Sequence, residues 1–303
     1  MEQTEAFKDW LFRYQYVYRL RRTEKSKKRF LTALVTDIAK MREDIQVIEY
    51  DQQKKYASRN VYVGNIKQAD RVICTFYDTP PESIGSYQLF DRKDQAKKTT
   101  TFILASTIIA ILLGVIGTLI YMRFSPSSFQ LNSLSTFVII AIYAGYFILL
   151  GKITKGLSNR KTLVRNTSSI LAMLKMIAEN KQKKIAYAFL DEGSYGNKGL
   201  EELQRQVNGH CEIYYLDSVG ASAPLHLVGK SPNNSEVAEK LDYLASDQKV
   251  SYLFSARKDQ TKDVFYLPEN AINKTTANKE KYFLLLECFL FELICSTIIS
   301  HFS

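Results

Sequence analysis

Residues 71–78 read Arg-Val-Ile-Cys-Thr-Phe-Tyr-Asp, a mostly apolar run that ends on a carboxylate. Two prolines follow at positions 80 and 81 and indicate a turn. A short, nearly continuous apolar run is typical of a strand that is buried on both faces of a sheet. The sequence therefore predicts an interior strand here, with Asp78 just beyond its end.

Strands and helices alternate along the chain around this segment. Two earlier runs, at 45–50 and 60–64, alternate between apolar and polar residues. Further strands are predicted at 184–190, 211–216, 225–228 and 251–254, and helices near 27–41, 168–179, 200–206 and 235–245. This alternation predicts an α/β fold, with a mixed, largely parallel sheet flanked by helices.

Two long apolar segments interrupt that pattern. Residues 99–122 and 134–151 contain no charged side chain, and about 20 apolar residues allow a helix to cross the hydrocarbon core of a membrane. They predict a two-helix transmembrane hairpin. The chain then divides into the N-terminal helices and first strands of a cytoplasmic domain (1–98), the hairpin (99–151) and the rest of that domain with an apolar C-terminal helix (152–303).

Basic residues lie next to the two spans on the side of the large domain. They are Arg92, Lys93, Lys97 and Lys98 before the first span, and Lys152, Lys155, Arg160, Lys161 and Arg165 after the second. The connection at 123–132 carries only Arg123. Because cytoplasmic flanks are enriched in Lys and Arg, we expect a multi-pass cell-membrane protein with both termini in the cytoplasm. The N-terminus lacks an early apolar run, so the first span is expected to direct insertion.

The charge and cysteine content restrict the partners. The net charge is +10, and part of the excess lies in the basic run at 19–29. No nucleic-acid-binding motif accompanies these residues, so no nucleic-acid partner is expected. Contact with the anionic inner leaflet or a solvated helix face explains them.

The cysteines lack zinc-ligand spacing and are interpreted as small buried hydrophobic residues, namely Cys74, Cys211, Cys288 and Cys295.

Two terminal segments each have two interpretations. Aromatic residues at helical spacing in 7–18 predict a helix that packs on the domain or lies at the membrane interface. The apolar segment 282–302 contains Glu287 and Glu292, and carboxylates at membrane depth are unfavourable. A packing helix is therefore favoured there over a third span.

Five segments, in this order along the chain, resemble a known family. They are Ser58–Gly64, Ile73–Asp78, Asn166–Leu174, Phe189–Asp191 with Gly196 and Gly199 after it, and Leu216–Gly220. They are similar to strand, helix and loop segments of the di-zinc aminopeptidase family, whose clan includes glutaminyl cyclases and glutamate carboxypeptidases. The resemblance covers about residues 25–220, with the hairpin as an insertion, and implies the same α/β fold.

The resemblance also implies a site, in which two zinc ions orient a water and polarise the scissile carbonyl. Histidines and carboxylates bind the metals, and a glutamate is the general base. At the matching positions this chain has Phe76 for the first histidine, Arg165 for the bridging carboxylate, and Gly193 and Ser194 for a glutamate pair. Asp217 keeps the carboxylate of the later strand. The resemblance thus implies a degenerate member that lacks most zinc ligands and the general base.

Other positions complete the comparison with the family. Asp78 is kept, although in the family it supports the first histidine. The final histidine falls within 268–276, where Asn273 is the nearest candidate. A shifted alignment would place Asp191 and Glu192 at the glutamate pair. The two remaining histidines outside the C-terminal segment, His210 and His226, are interpreted as structural residues.

Two functions are compatible with these residues. In the first, the protein is a membrane-anchored pseudoenzyme, without catalytic residues or cofactor, whose groove binds a peptide or protein partner at the cytoplasmic membrane face. The groove remnants are Phe76, Asp78, Arg165, Asp191, Glu192, Ser194 and Asp217. In the alternative, it is an active membrane-bound metallopeptidase or hydrolase with altered metal ligands, and only then is zinc expected. A membrane tether without a groove function is a third class.

The apolar spans imply further partners. The lipid bilayer is expected around them. Small residues in the spans permit close helix contact, and so an oligomer or a membrane-protein partner through the hairpin. These residues are Gly114, Gly117, Ala141, Ala144 and Gly145.

Overall fold

The computed structural model describes residues 2–53, 56–124, 133–180, 182–194, 196–229, 242–245, 249–261 and 264–277. The chain forms two compact units. The larger, called the α/β unit below, comprises Met1–Pro80, Ser86–Arg92 and Arg160–Ser303. The smaller, called the helical unit, comprises Pro81–Gly85 and Lys93–Asn159.

The helices and strands have the following bounds. The helices are α1 (Glu2–Phe12), α2 (Glu24–Ala39), α3 (Arg92–Phe124), α4 (Leu134–Thr154), α5 (Ser168–Glu179), α6 (Lys198–Gln206) and α7 (Glu269–Ile272), with π-helical turns at Arg13–Val17 and Leu163–Thr167. The strands are β1 (Ile45–Gln53), β2 (Tyr56–Val63), β3 (Arg71–Phe76), β4 (Tyr87–Gln88), β5 (Ile185–Leu190), β6 (Glu212–Asp217), β7 (Leu225–Gly229), β8 (Asp242–Ala245), β9 (Val250–Ser255), β10 (Arg257–Asp259) and β11 (Val264–Leu267).

An eight-stranded sheet forms the centre of the α/β unit, in the order β1-β2-β5-β3-β6-β9-β7-β8. The inner strands β5, β3, β6 and β9 pair in parallel, and β7 pairs in parallel with β8. The pairs β1–β2, β2–β5 and β9–β7 are antiparallel. This confirms the predicted mixed, largely parallel sheet. A small antiparallel sheet, β10-β11-β4, was not predicted.

The apolar strands explain why helices cover both faces of the sheet. Successive side chains of a strand point to opposite faces, so Ile73 lies in one apolar cluster and Cys74 in the other. The first cluster holds the apolar faces of α2 and α5, and the second includes Leu200 and Leu203 of α6. Each face therefore buries its own core, which confirms the flanking helices.

The N-terminal aromatic segment packs on the α/β unit. Tyr14 is fully buried in the first cluster, and Phe7, Trp10, Leu11 and Tyr18 pack against it. The packing interpretation is therefore confirmed. The segment forms α1 and a π-helical turn, and Thr23 then begins α2 with a capping box to Ser26.

One predicted helix is wrong in its last four residues. The sequence indicates a helix over 235–245, but Asp242–Ala245 is the strand β8, which pairs in parallel with β7. Residues 235–241 lie outside the described part of the chain. The free edge of β7 offers unpaired backbone groups, and pairing with them overrides local helical periodicity. The predicted C-terminal helix at 282–302, with Cys288 and Cys295, also lies outside the described residues.

The helical unit contains the two predicted apolar spans. Lys93–Phe124 of α3 and Leu134–Thr154 of α4 are each long and apolar enough to cross a membrane. The Tyr146 hydroxyl donates to the Ala110 carbonyl at 3.1 Å, and the Thr118 and Tyr143 hydroxyls lie 2.6 Å apart. A Cβ atom at Gly114 would overlap the Tyr146 hydroxyl. The glycine therefore permits the contact between the two helices.

Candidate functional site

Three carboxylates meet at one edge of the sheet. Asp78 and Asp191 follow β3 and β5, which are adjacent parallel strands, and Asp217 ends β6 on the other side of β3. The carboxyl ends of parallel strands share an edge, where α/β proteins commonly bind ligands. We call the seven predicted groove residues at this edge the strand-end cluster: Phe76, Asp78, Arg165, Asp191, Glu192, Ser194 and Asp217.

Asp78 holds the loop that follows β5. Its Oδ1 accepts hydrogen bonds from the backbone N–H groups of Gly193 (2.8 Å) and Ser194 (3.3 Å), and its Oδ2 accepts from Ser194 at 3.2 Å. The Ser194 hydroxyl donates to the Asp78 carbonyl at 2.9 Å. Burial, followed by the charge of Asp191, raises the pKa of Asp78 above its ordinary value, against the opposing effects of Lys27 and the backbone donors. The carboxylate thus connects β3 to the loop.

Asp191 forms a buried ion pair with Lys27 of α2. Lys27 Nζ lies 2.5 Å from Asp191 Oδ1, and the Asp191 side chain is 1% exposed. The backbone N–H groups of Glu192 and Arg59 also donate to this carboxylate, at 2.8 and 3.3 Å. Burial alone would lower the pKa of Lys27, but Asp191 and Asp78 raise it above its ordinary value. Lys27 is therefore a fixed positive charge beside two carboxylates.

Glu192 is directed toward the β2 side of the loop. Its φ is +54°, an uncommon backbone conformation for a residue other than glycine. Its Oε1 accepts a hydrogen bond from the Ser58 hydroxyl at 2.5 Å, and its Oε2 lies 3.8 Å from Lys198 Nζ. The two acidic residues of the loop therefore have different partners, Lys27 for Asp191 and Ser58 for Glu192.

An aromatic ring occupies the position where the family resemblance placed a histidine. Phe76 is fully buried, and its ring stacks on Tyr215 with the ring centroids 6.2 Å apart. A Cβ atom at Gly193 would overlap the Cβ and ring of Phe76. The loop backbone therefore passes directly over this ring, which needs glycine at position 193.

Arg165 is buried and has no ion-pair partner among the residues that the structure describes. It lies in the π-helical turn Leu163–Thr167 and is 3% exposed. Its guanidinium lies over the ring of Tyr87, 4.0 Å from the centroid. Within the described residues, its only side-chain hydrogen bond is a long one, from Nη2 to the Ser194 carbonyl at 3.4 Å, and its Nε has no acceptor. No carboxylate of the described chain lies within 4.0 Å of it.

Tyr87 connects Arg165 to Asp217. The Tyr87 hydroxyl donates to Asp217 Oδ2 at 2.7 Å, and the Ser218 hydroxyl donates to Oδ1 at 2.7 Å. Ser218 also has a positive φ of +52°. Tyr87 therefore contacts the Arg165 guanidinium through its ring and the Asp217 carboxylate through its hydroxyl.

A second buried arginine was missed by sequence reasoning. Arg21 is fully buried, and its Nη2 donates to Asn166 Oδ1 and, at 2.9 Å, to the Thr167 hydroxyl. Asn166 in turn donates to the carbonyls of Phe76 (2.8 Å) and Asp78 (3.2 Å). Burial lowers the pKa of Arg21 to about 9, with Asp78 opposing that effect. Arg21 lies within a basic run, and nothing in its local sequence distinguishes it from its neighbours.

Among the described residues, neither His210 nor His226 belongs to a group of three or more side chains that could hold a metal ion. His226 is buried, its Nε2 lies 2.9 Å from the Ala256 carbonyl, and its ring stacks on Phe254. His210 is exposed in a turn. Asn273 follows α7, where its backbone N–H donates to the Glu269 carbonyl. These contacts agree with the structural interpretation of both histidines.

The strand-end cluster does not fit a zinc pair. Among the residues that the structure describes, no group of three or more His, Cys, Asp and Glu side chains is arranged to hold a metal ion. Asp191 is already paired with the Lys27 ammonium, and the Arg165 guanidinium lies in the same cluster. Fixed positive charges repel a divalent cation.

Comparisons with known proteins identify the architecture. Neither a family model nor a curated protein sequence matches the chain. Solved structures similar to it include a leucine aminopeptidase precursor from Bacteroides thetaiotaomicron, with 11% identity, a TM-score of 0.52 and 94% coverage of each chain. Another is the Tannerella forsythia glutaminyl cyclase, with 11% identity, a TM-score of 0.52, and coverage of 95% of this chain and 97% of that one.

A third similar structure is a Zn-dependent exopeptidase from Parabacteroides distasonis, with 10% identity, a TM-score of 0.50, and coverage of 94% of this chain and 95% of that one. At such identities a likeness shows the fold and not the activity. The predicted family resemblance is confirmed at that level. The chain has a di-zinc aminopeptidase-like fold.

Proposed function

We propose that this protein is a membrane-anchored, non-catalytic peptidase-like protein that binds a peptide or protein partner at the cytoplasmic face of the membrane. The observation that carries the proposal is the presence of Lys27 and Arg165 among the strand-end carboxylates, in a fold shared with a Zn-dependent exopeptidase. Lys27 neutralises Asp191, and the guanidinium of Arg165 adds a second positive charge that opposes the binding of a metal cation.

The partners of Asp191 and Asp78 support a non-catalytic role. Asp191 is neutralised by Lys27, and Asp78 holds the backbone of the loop. A general base needs a carboxylate free to take a proton from water or substrate. Both of these carboxylates are buried and already accept several hydrogen bonds.

Binding without cleavage is supported by the place of the cluster. The carboxyl edge of a parallel sheet is a preferred ligand-binding region of α/β folds. This edge retains buried polar groups, including Arg165, whose Nε has no acceptor among the described residues. A peptide supplies the carbonyl and carboxylate groups that such donors recognise.

Membrane anchoring is supported by the exposed apolar surface of the helical unit. Large apolar side chains of α3 and α4 are each more than half exposed: Leu104, Ile108, Ile109, Leu113 and Leu119 on α3, and Phe137, Ile142, Phe147 and Ile148 on α4. Soluble monomers rarely expose contiguous apolar patches of this kind. A bilayer would cover these residues, and the basic flanks favour a cytoplasmic α/β unit.

The hairpin also leaves room for self-association. Gly117 and Gly145 have no atom within 4 Å of the position of an added Cβ. Small residues facing open space allow another helix to approach closely in a bilayer. We therefore include a second copy, or another membrane protein, among the partners of the hairpin.

One observation favours the alternative, an active metallopeptidase or hydrolase with altered metal ligands. Asp78 and Asp191 are both buried, and the charge of Asp191 contributes to the raised pKa of Asp78. Interacting carboxylates with shifted pKa values also occur in catalytic sites. Zinc would be its cofactor only in this alternative.

Metal analysis separates the two functions. The full-length protein is purified in detergent with zinc present throughout, and its metal content is measured for the unchanged protein, Asp217→Ala and the surface control Asp44→Ala. We expect no stoichiometric zinc in any of them. Stoichiometric zinc that is lost only in Asp217→Ala, together with cleavage of aminopeptide substrates, would overturn the non-catalytic proposal.

Cysteine labelling tests the membrane topology. Ser133→Cys lies at the start of α4 and Lys155→Cys directly after its end. In intact cells, a membrane-impermeant thiol reagent should label Cys introduced at 133 and should reach position 155 only after lysis. Labelling of both positions in intact cells would contradict a cytoplasmic α/β unit.

A further inference from the structure

We infer that Arg165 is the anchor for a carboxylate group of the bound peptide. The inference rests on the proposed function, because it names the chemistry by which the strand-end cluster would recognise its partner. The inference rests on the guanidinium of Arg165, whose Nε has no acceptor among the described residues.

The first observation is the combination of burial and missing partners. Arg165 is 3% exposed, and within the described part of the chain its Nε has no acceptor and its Nη2 makes only the 3.4 Å contact with the Ser194 carbonyl. Buried polar side chains almost always have hydrogen-bond partners, and buried charges are normally paired. A buried guanidinium with one long hydrogen bond therefore points to an anionic ligand that completes it.

The second observation is the contrast with Arg21. Arg21 is equally buried and its Nε likewise lacks an acceptor among the described residues, but its Nη atoms donate to Asn166, to Thr167 and to the Tyr18 carbonyl. Hydrogen bonds to two side chains and one backbone carbonyl therefore hold the Arg21 guanidinium in place. Arg165 lacks such an arrangement, although it lies in the same segment as Asn166 and Thr167. Arg21 is therefore a structural residue, whereas Arg165 is available to bind a ligand.

The third observation is that the guanidinium is held in place without being neutralised. It lies 4.0 Å from the centroid of the Tyr87 ring, and the hydroxyl of that tyrosine is fixed by Asp217 at 2.7 Å. Stacking on an aromatic ring orients an arginine while its in-plane N–H groups remain free to donate. The geometry thus presents a preorganised fork for an anion.

The surroundings favour a carboxylate over a phosphate. Asp217 accepts a hydrogen bond from the hydroxyl of Tyr87, and Asp78 holds the loop whose Ser194 carbonyl contacts Arg165. These negative groups oppose a doubly charged phosphate more strongly than a singly charged carboxylate. A carboxylate also matches the planar guanidinium with two parallel hydrogen bonds. Its source is either the C-terminus of a peptide or an Asp or Glu side chain.

The experiment measures binding to the full-length protein in detergent by calorimetry. The probes are N-acetyl-trialanine, its C-terminal amide, N-acetyl-Ala-Glu-Ala-amide, the corresponding Gln peptide and inorganic phosphate. We expect at least one carboxylate probe to bind and its neutral counterpart not to bind. Preference for the free-acid trialanine identifies a C-terminal carboxylate, and preference for the Glu peptide identifies a side chain.

Two variants assign the effect to Arg165. Arg165→Met should abolish carboxylate binding and Arg165→Lys should weaken it by at least about tenfold, because the bidentate, charge-assisted hydrogen bonds are lost. Arg13→Met, which removes an ion-paired arginine of the π-helical turn at 13–17, should leave the affinity unchanged. Equal binding of acid and amide probes, stronger binding of phosphate, or unchanged affinity in Arg165→Met would overturn the inference alone.

Two further outcomes separate this inference from the function on which it rests. Cleavage of the probes would overturn the non-catalytic proposal, whatever Arg165 does. Failure of every peptide probe to bind would overturn the inference, whereas the proposed function also includes a protein partner and is tested separately by the metal content. Without ligand, Arg165→Met should be at least as stable as the unchanged protein, because it removes an uncompensated buried charge. A large loss of stability would show that Arg165 is a structural residue and would overturn the inference.

Discussion

Lys27 extends from α2 to the carboxylate of Asp191 at the end of β5, and its Nζ lies 2.5 Å from Asp191 Oδ1. The two residues are 164 positions apart in sequence. Because both side chains are largely buried, the pair is shielded from water. It neutralises one of the carboxylates at the edge of the sheet and attaches α2 to that edge.

Breaking this pair should destabilise the protein strongly. Lys27→Met leaves the buried Asp191 carboxylate without its cation, and removal of one partner of a buried pair typically costs about 3–5 kcal/mol. The free energy of unfolding of the detergent-solubilised protein, from denaturant titration, measures the effect. Lys184→Met is the control, because Lys184 pairs with Asp70 at 3.1 Å on the surface, and it should change stability by less than about 0.5 kcal/mol. Equal effects of the two changes would contradict a buried structural pair.

Asp78 should make stability depend on pH. Its pKa is raised by burial and by Asp191, so the folded protein binds its proton more tightly than the unfolded chain does. The resulting contribution to stability is fully present below the unfolded pKa of about 3.9 and is lost as pH rises through the higher folded value.

Asp78→Asn isolates this contribution, because the amide stays neutral and its oxygen can still accept from Gly193. We expect the variant to gain stability relative to the unchanged protein at neutral pH, and the difference to shrink as pH falls. Denaturant titrations across the pH range measure both proteins. A difference that is independent of pH would show that Asp78 is not protonated more readily in the folded state.

Gly193→Ala should destabilise the loop after β5. The added methyl group would overlap the Cβ of Phe76, so the backbone or the ring must move, and such overpacking typically costs about 1–3 kcal/mol. Thermal unfolding measures the change. Gly209→Ala is the matched control, because nothing lies within 4 Å of the added Cβ there. If Gly193→Ala were as stable as that control, the close approach of the loop to Phe76 would be wrong.

Arg21→Met should lower stability and loosen the strand-end cluster. The variant removes the donors to Asn166 and Thr167, and leaving such buried acceptors unsatisfied costs about 2–4 kcal/mol in total. Denaturant titration should show this loss, and Arg21→Lys should recover part of it. Unchanged stability in Arg21→Met would show that Asn166 keeps its contacts with Phe76 and Asp78 without the arginine.

The sequence alone predicted the features that depend on local patterns. The interior strand at 71–76, the helix at 168–179 and the two apolar spans each carry their hydrophobic period within a few residues of sequence. The strand-end carboxylates were likewise visible, because parallel strands place residues that follow them at one edge. Local periodicity failed at Asp242–Ala245, where pairing with β7 decides the structure.

Only the tertiary structure showed what surrounds those carboxylates. Lys27 and Arg21 come from the N-terminal basic run, and Tyr87 comes from a two-residue strand. Nothing near them in sequence indicates that they are buried at the sheet edge. Their roles depend on contacts between residues far apart in the chain, and hydrophobic periodicity contains no information about such contacts. The sequence by itself therefore determined the α/β architecture and the place of the carboxylates at the ends of the strands, whereas only the tertiary structure places Lys27 and Arg165 beside them.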